Sequence, residues 1–219
     1  MRVSLRSLDH VAVWTDEREE LARFLLDHTG VHEVERTDSF TLLGADARRG
    51  KLTLFDAVGP REPGALERVV LRVHDLDAAV QRAGGAVFAA PGGLNLGLVQ
   101  AEQDAVDYDL DHVVLRVEDP DASAEAMATL GFERDGHRLV VAGSHVTLEG
   151  GGVPEGERPL LNHVAVLVDS AEAVEREVRE SGAEIADVVD AANTLAVFVW
   201  TPGRIKLEYV EHKASFSLT

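Results

Sequence analysis

Four short apolar runs in this chain open on almost the same letters: Leu8-Asp9-His10-Val11, Leu66-Glu67-Arg68-Val69, Leu110-Asp111-His112-Val113 and Leu161-Asn162-His163-Val164. Recurrence at intervals of roughly fifty residues marks one supersecondary unit used several times, and it excludes folds without internal repetition. Each run is followed by capping letters and a helical pattern that stops at a glycine: Gly30, Gly84, Gly131 and Gly182. Behind the first helix, residues 31–36, 39–44 and 51–58 read as short strands, and behind the fourth, residues 183–189, 193–200 and 204–210 do the same. The unit is therefore strand, helix, three strands. Four βαβββ units predict an α+β protein with curved, barrel-like mixed sheets, in two tandem modules at residues 1–105 and 106–219. A glycine-rich link over 149–159 joins the third unit to the fourth.

Strand alternation sorts the letters by face. Along the third opening strand Val113, Leu115 and Val117 form the apolar set that packs under a helix, leaving His112, Val114 and Arg116 on the concave side. On the last strand Ile205, Leu207 and Tyr209 take the helix side, and Lys206 and Glu208 the concave side. The strand at 144–150 turns His145, Thr147 and Glu149 the same way. Histidines on opening strands and glutamates on closing strands thus point into a concavity.

Composition limits what such a concavity can bind. A net charge of −18 over 219 residues argues against nucleic acid or an anionic membrane as partner, since both attract basic surfaces. The chain has no cysteine, so a metal would be held by imidazole and oxygen alone. No apolar stretch reaches the length of a membrane span. The expectation is a cytoplasmic protein that handles a small molecule, with homo-oligomerisation left open.

The repeated LDHV opening and the closing TPGRIKLEYV resemble the vicinal oxygen chelate superfamily, which contains glyoxalase I, extradiol ring-cleaving dioxygenases, fosfomycin-resistance enzymes and bleomycin-binding proteins. The resemblance implies a divalent metal on the concave side of a paired module, with ligands on first and last strands. In the C-terminal half these are His112, His163 and Glu208, with Glu149 as a candidate fourth ligand or proton carrier. The corresponding letters of the N-terminal half are His10, Phe55, Arg68 and Leu98, so that half is expected to be structural. Two imidazoles and one carboxylate form the facial triad of non-haem Fe(II) oxygenases, with Mn as a substitute. A ring-cleaving dioxygenase consuming O2 and a catechol-like substrate is the reading this favours.

Under that reading the resemblance makes His145 the acid–base histidine and puts Asn193 where the family often has a further histidine; Asn193, with Arg116 and Lys206 of the concave face, is expected to contact substrate. A glyoxalase I-like lyase or isomerase is the alternative, in which Glu149 completes a two-His, two-Glu set around Zn, Ni or Co. A metal-free binding protein of the resistance type is the third.

Overall fold

The computed structural model describes residues 4–45, 47–102, 108–153 and 158–218. The first unit comprises β1 (Leu5–Thr15), α1 (Arg18–Thr29), β2 (His32–Arg36), β3 (Phe40–Gly44) and β4 (Lys51–Asp56). The second comprises β5 (Leu66–Val73), α2 (Leu76–Ala83), β6 (Val87–Ala89) and β7 (Asn95–Gln100). It has one strand fewer than the others, and a 3-10 turn at Pro91–Gly93 stands between its last two strands. The third has β8 (Tyr108–Val117), α3 (Pro120–Thr129), β9 (Glu133–Asp135), β10 (Arg138–Val141) and β11 (Ser144–Gly150). The fourth has β12 (Leu161–Val168), α4 (Ala171–Ser181), β13 (Glu184–Asp190), β14 (Thr194–Trp200) and β15 (Lys206–His212).

Local chemistry accounts for the helix ends. Ser170 caps α4 by accepting from the Ala173 amide, Asp119 caps α3 from Ala122, and Asp75 caps α2 from Ala78. Helix α4 turns Ala171, Val174 and Val178 inward on one stripe and ends at Gly182, whose φ of 75° ordinary side chains avoid.

The strands form two mixed sheets. One has eight strands in the order β13-β14-β15-β12-β1-β4-β3-β2, the other seven in the order β6-β7-β5-β8-β11-β10-β9. The first sheet therefore joins unit one to unit four, and the second joins unit two to unit three. The sheets do not follow the expected halves, residues 1–105 and 106–219: each takes one unit from each half, and the expected boundary lies in 103–107, outside the described residues. The pairing that decides it is antiparallel β1 against β12 and antiparallel β5 against β8, each flanked by parallel contacts to its own closing strand. Residues 154–157 of the expected link are likewise outside the described set.

Burial explains why the sheets hold together. Val11, Val13, Val69, Val113, Val164 and Val166 are fully buried on the seam strands and belong to one hydrophobic cluster spanning both sheets. Apolar burial at roughly 25 cal/mol per Å² is the main force here, and β-branched residues suit a pleated surface covered on both sides. A polar tie crosses the same interface: the Tyr209 hydroxyl on β15 donates to the Leu130 carbonyl at the end of α3, at 2.7 Å.

Candidate metal centre

The pairing of β1 with β12 sets Ala12 opposite His163 and His10 opposite Ala165. His10 and His163 are thus diagonal neighbours on one face, and their Nε2 atoms stand 2.9 Å apart. Next to β12, parallel β15 sets Glu208 beside Ala165, which brings its Oε2 to 2.8 Å from His163 Nε2 and 3.1 Å from His10 Nε2. Three donor atoms from segments far apart in sequence converge on one point. His10, His163 and Glu208 form a group able to hold a metal ion.

The groups behind these donors fix their orientation. Asp9 Oδ1 sits 2.7 Å from His10 Nδ1, which turns Nε2 toward the other two side chains. Asn162 Oδ1 does the same for His163 Nδ1 at 3.1 Å. Asp9 is itself buried, and it also holds the buried Lys51 ammonium at 2.9 Å and His212 Nε2 at 3.0 Å.

Charge follows from this geometry. Burial would push the Glu208 carboxyl up, but His10 and His163 outweigh it and hold it well below the usual carboxylate range. Burial alone would lower the His10 imidazole, yet Glu208 and Asp9 lift it to about 9. His163, fully desolvated, is pushed down. Asp9 stays ionised despite burial, chiefly because of Lys51. The short Nε2–Nε2 contact needs a proton on one of the two rings.

The site opens into a cavity of about 390 Å³ with aromatic walls from Phe40, Phe55, Phe198 and Phe216. A second recess of about 320 Å³ shares His163, Phe55 and Phe198 and adds Trp200 and Lys206. Lys206 lies over the Phe198 and Trp200 rings at 5.5 and 5.8 Å, and burial lowers its ammonium. Asn193 lines the larger cavity, and its Oδ1 accepts from the amide and hydroxyl of Ser217.

The structure brings together two of the three expected ligands, His163 and Glu208, and leaves out His112. His112 lies on β8 of the other sheet because β8 pairs with β5 and not with β12. His10, expected to be structural, occupies the third position. The signal was present in the letters Asp9-His10, which match Asp111-His112, but the choice between them depends on which opening strands become neighbours.

His145, Glu149 and Arg116 are also on the seven-stranded sheet. His145 lies beside His112 with rings stacked at 4.4 Å, Glu149 is exposed, and Arg116 is ion-paired with Glu67. Asp111, His112 and His145 offer donor atoms near one another. Their rings are within 14° of parallel, however, so the two lone pairs run side by side and do not meet at a point. Asp111 is also already shared between His112 and Arg72.

The register also corrects the counterparts of Glu208. On β15 Glu208 lies beside Ala165, two residues past the opening-strand histidine; the same place is Thr53 on β4, Gly97 on β7 and Thr147 on β11. Counting along the chain had pointed to Phe55 and Leu98. Thr53, not a second carboxylate, therefore completes the ring of four positions around His10, His163 and Glu208.

Residues 7–89 match the family model of the Glyoxalase/Bleomycin resistance protein/Dioxygenase superfamily. Solved structures share the fold over nearly the whole chain. A Bacillus subtilis subsp. subtilis str. 168 protein provisionally named a dioxygenase superposes with a TM-score of 0.79 over 98% of this chain and 87% of its own, at 17% identity. Glyoxalase I from Zea mays superposes with a TM-score of 0.71 over 95% of this chain and 92% of its own, also at 17% identity. The cppA protein from Streptococcus pneumoniae TIGR4 does so at 0.66 over 96% and 100%, with 9% identity. No curated protein matches the chain significantly in sequence. Among the described residues no helix is long and apolar enough to cross a membrane.

Proposed function

We propose that His10, His163 and Glu208 bind a divalent metal, Fe(II) by preference, and that the chain is a ring-cleaving oxygenase of a catechol-like substrate. The observation that carries this reading is the convergence of two Nε2 atoms and one carboxylate oxygen within 2.8–3.1 Å of one another. Two neutral imidazoles and one carboxylate suit Fe(II) or Mn(II) and leave coordination positions open on the cavity side. The metal would hold the two vicinal oxygens of the substrate and supply the site at which O2 is activated.

The chain's own residues supply the rest. Phe40, Phe55, Phe198 and Phe216 give a flat, apolar enclosure for an aromatic ring and exclude water from it. His212 reaches the same cavity with its Nε2 on Asp9, so it is oriented to take a proton from a substrate hydroxyl or return one. This is the role expected of His145. Lys206 and Asn193 stand at the two ends of the enclosure, and Lys206 gives a cation to a substrate that carries an anionic substituent.

Thr53 in the fourth position supports the oxygenase over a glyoxalase-type lyase, which needs a second carboxylate there to move a proton. Elemental analysis of protein purified without chelator, followed by O2 uptake with simple catechols, tests the proposal. Stoichiometric iron and catechol-dependent O2 consumption are expected. Zinc or nickel with no O2 uptake would favour the lyase, and ligand binding without any metal would favour a sequestering protein.

A further inference from the structure

We propose that, on the reading in which His212 moves a substrate proton, Phe216 is a positioning residue for His212, mounted on a strap formed by residues 213–218 after β15. His212 is the last residue of β15. Asp9 holds its ring at one edge, with Oδ2 3.0 Å from His212 Nε2 and 3.1 Å from Lys51 Nζ. The same carboxylate also serves His10. A carboxylate divided among three donors fixes one nitrogen of the imidazole and leaves the ring plane free to turn about that bond.

Phe216 supplies the restraint that is missing. Its ring lies on the His212 ring with centroids 4.3 Å apart and planes within 19° of parallel. Stacking sets the plane, and the hydrogen bond sets the rotation within it. With Nε2 on Asp9, Nδ1 is the nitrogen left for a substrate hydroxyl. Both rings line the cavity into which the metal centre opens.

The backbone brings Phe216 there by a tight reversal. The Lys213 amide donates to the Asn193 carbonyl at 2.9 Å, and the Phe216 amide donates back to the Lys213 carbonyl at 2.9 Å, closing a turn through exposed Ala214 and Ser215. The returning chain is pinned to the loop between β13 and β14. Asn193 Oδ1 accepts from the Ser217 amide at 3.2 Å and its hydroxyl at 3.4 Å, and the Ser215 hydroxyl donates to the Ala192 carbonyl at 3.3 Å. Lys213 Nζ donates to Asp190 and to the Ala191 carbonyl. Arg48, ahead of β4, lies over the Phe216 ring with Cζ 5.1 Å from its centroid, so the first unit touches the strap as well. Leu218, past the pinned serine, lines the same cavity. Bulk alone would suffice for a side chain that only covered the cavity. Here a flat ring is delivered parallel to one particular imidazole, by a segment whose polar groups are tied down on both sides of it.

Phe216→Leu, which keeps bulk and removes the plane, and Phe216→Tyr, which keeps the plane, test the proposal in the full chain. In chelator-treated protein, the ring nitrogen shifts of neutral His212 should report one tautomer, protonated at Nε2, in the parent and in Phe216→Tyr, and an averaged pair in Phe216→Leu. In metal-loaded protein turning over catechol, Phe216→Leu should lower kcat about tenfold, a part of the roughly 10²–10⁴-fold that positioned proton transfer contributes, with KM changed less than about twofold. Phe216→Tyr should keep the parent kcat. In a His212→Gln background Phe216→Leu should cost nothing further, because the two residues act as one. Metal content should stay that of the parent throughout. An unchanged tautomer in Phe216→Leu, equal losses of kcat in Phe216→Leu and Phe216→Tyr, or a further loss in the His212→Gln background overturns the proposal. A parent chain that consumes no O2 with catechol defeats the oxygenase reading instead, and the nitrogen shifts, which need no turnover, then decide the role of Phe216 alone.

Discussion

The eight-stranded and seven-stranded sheets use the same unit, paired through the same antiparallel seam in the same register, and they differ in what they offer a ligand. On the first, a buried carboxylate, Asp9, is matched by Lys51 and holds His10 toward Glu208. On the second, the related Asp111 holds His112 beside His145 and faces Arg72, with no carboxylate at the place of Glu208. The backbone fixes where side chains meet, and a few substitutions at the meeting point decide whether two imidazoles and a carboxylate converge there.

The comparison breaks most sharply at the ligands. Glu208→Ala removes the only anionic donor, so metal affinity should fall by more than the roughly 10–100-fold typical of losing a supporting partner. Competition against a chelating dye reads that directly. Asp9→Asn comes next: it frees the orientation of His10, for about 10–100-fold in metal affinity, and leaves buried Lys51 without its counter-ion, for about 3–5 kcal/mol in stability. Chemical denaturation separates the second effect from the first. The converse experiment builds the missing site: Arg68→His with Thr147→Glu supplies the seven-stranded sheet with the donors it lacks beside His112. Metal content should then double relative to the parent chain.

The smallest effect concerns the joint between the sheets. Tyr209→Phe deletes the hydrogen bond to the Leu130 carbonyl and should cost about 1 kcal/mol by denaturation. Burial raises the Tyr209 phenol, so the folded chain keeps that proton while the unfolded chain loses it above about pH 10. The stabilisation is complete below that pH and is lost as pH rises from there through the higher value of the folded chain. The Phe variant should lack this component of alkaline unfolding.

Much of this was legible in the letters. The repeated opening located the four seam strands, and alternation placed Glu208 and Tyr209 on opposite faces of β15, as the structure shows. The glycine stops at Gly30, Gly84 and Gly182 fell where the sequence put them. The choice of neighbouring units was not legible. All four opening strands present nearly the same apolar edge, so sequence gives no reason to pair β1 with β12 instead of β8 with β12; that is settled by long-range packing. For the same reason His112 was chosen over His10. Equal spacing from His10 to Phe55 and from His163 to Glu208 also misled, because the strands of the first unit are offset by two residues relative to the fourth and Thr53 takes the place assigned to Phe55.

The most direct test is elemental analysis of the wild-type chain beside His10→Ala and His112→Ala, all purified without chelator. The wild type and His112→Ala should retain a divalent ion, and His10→Ala should lose it while keeping its fold. Retention by His10→Ala together with loss by His112→Ala would contradict the account.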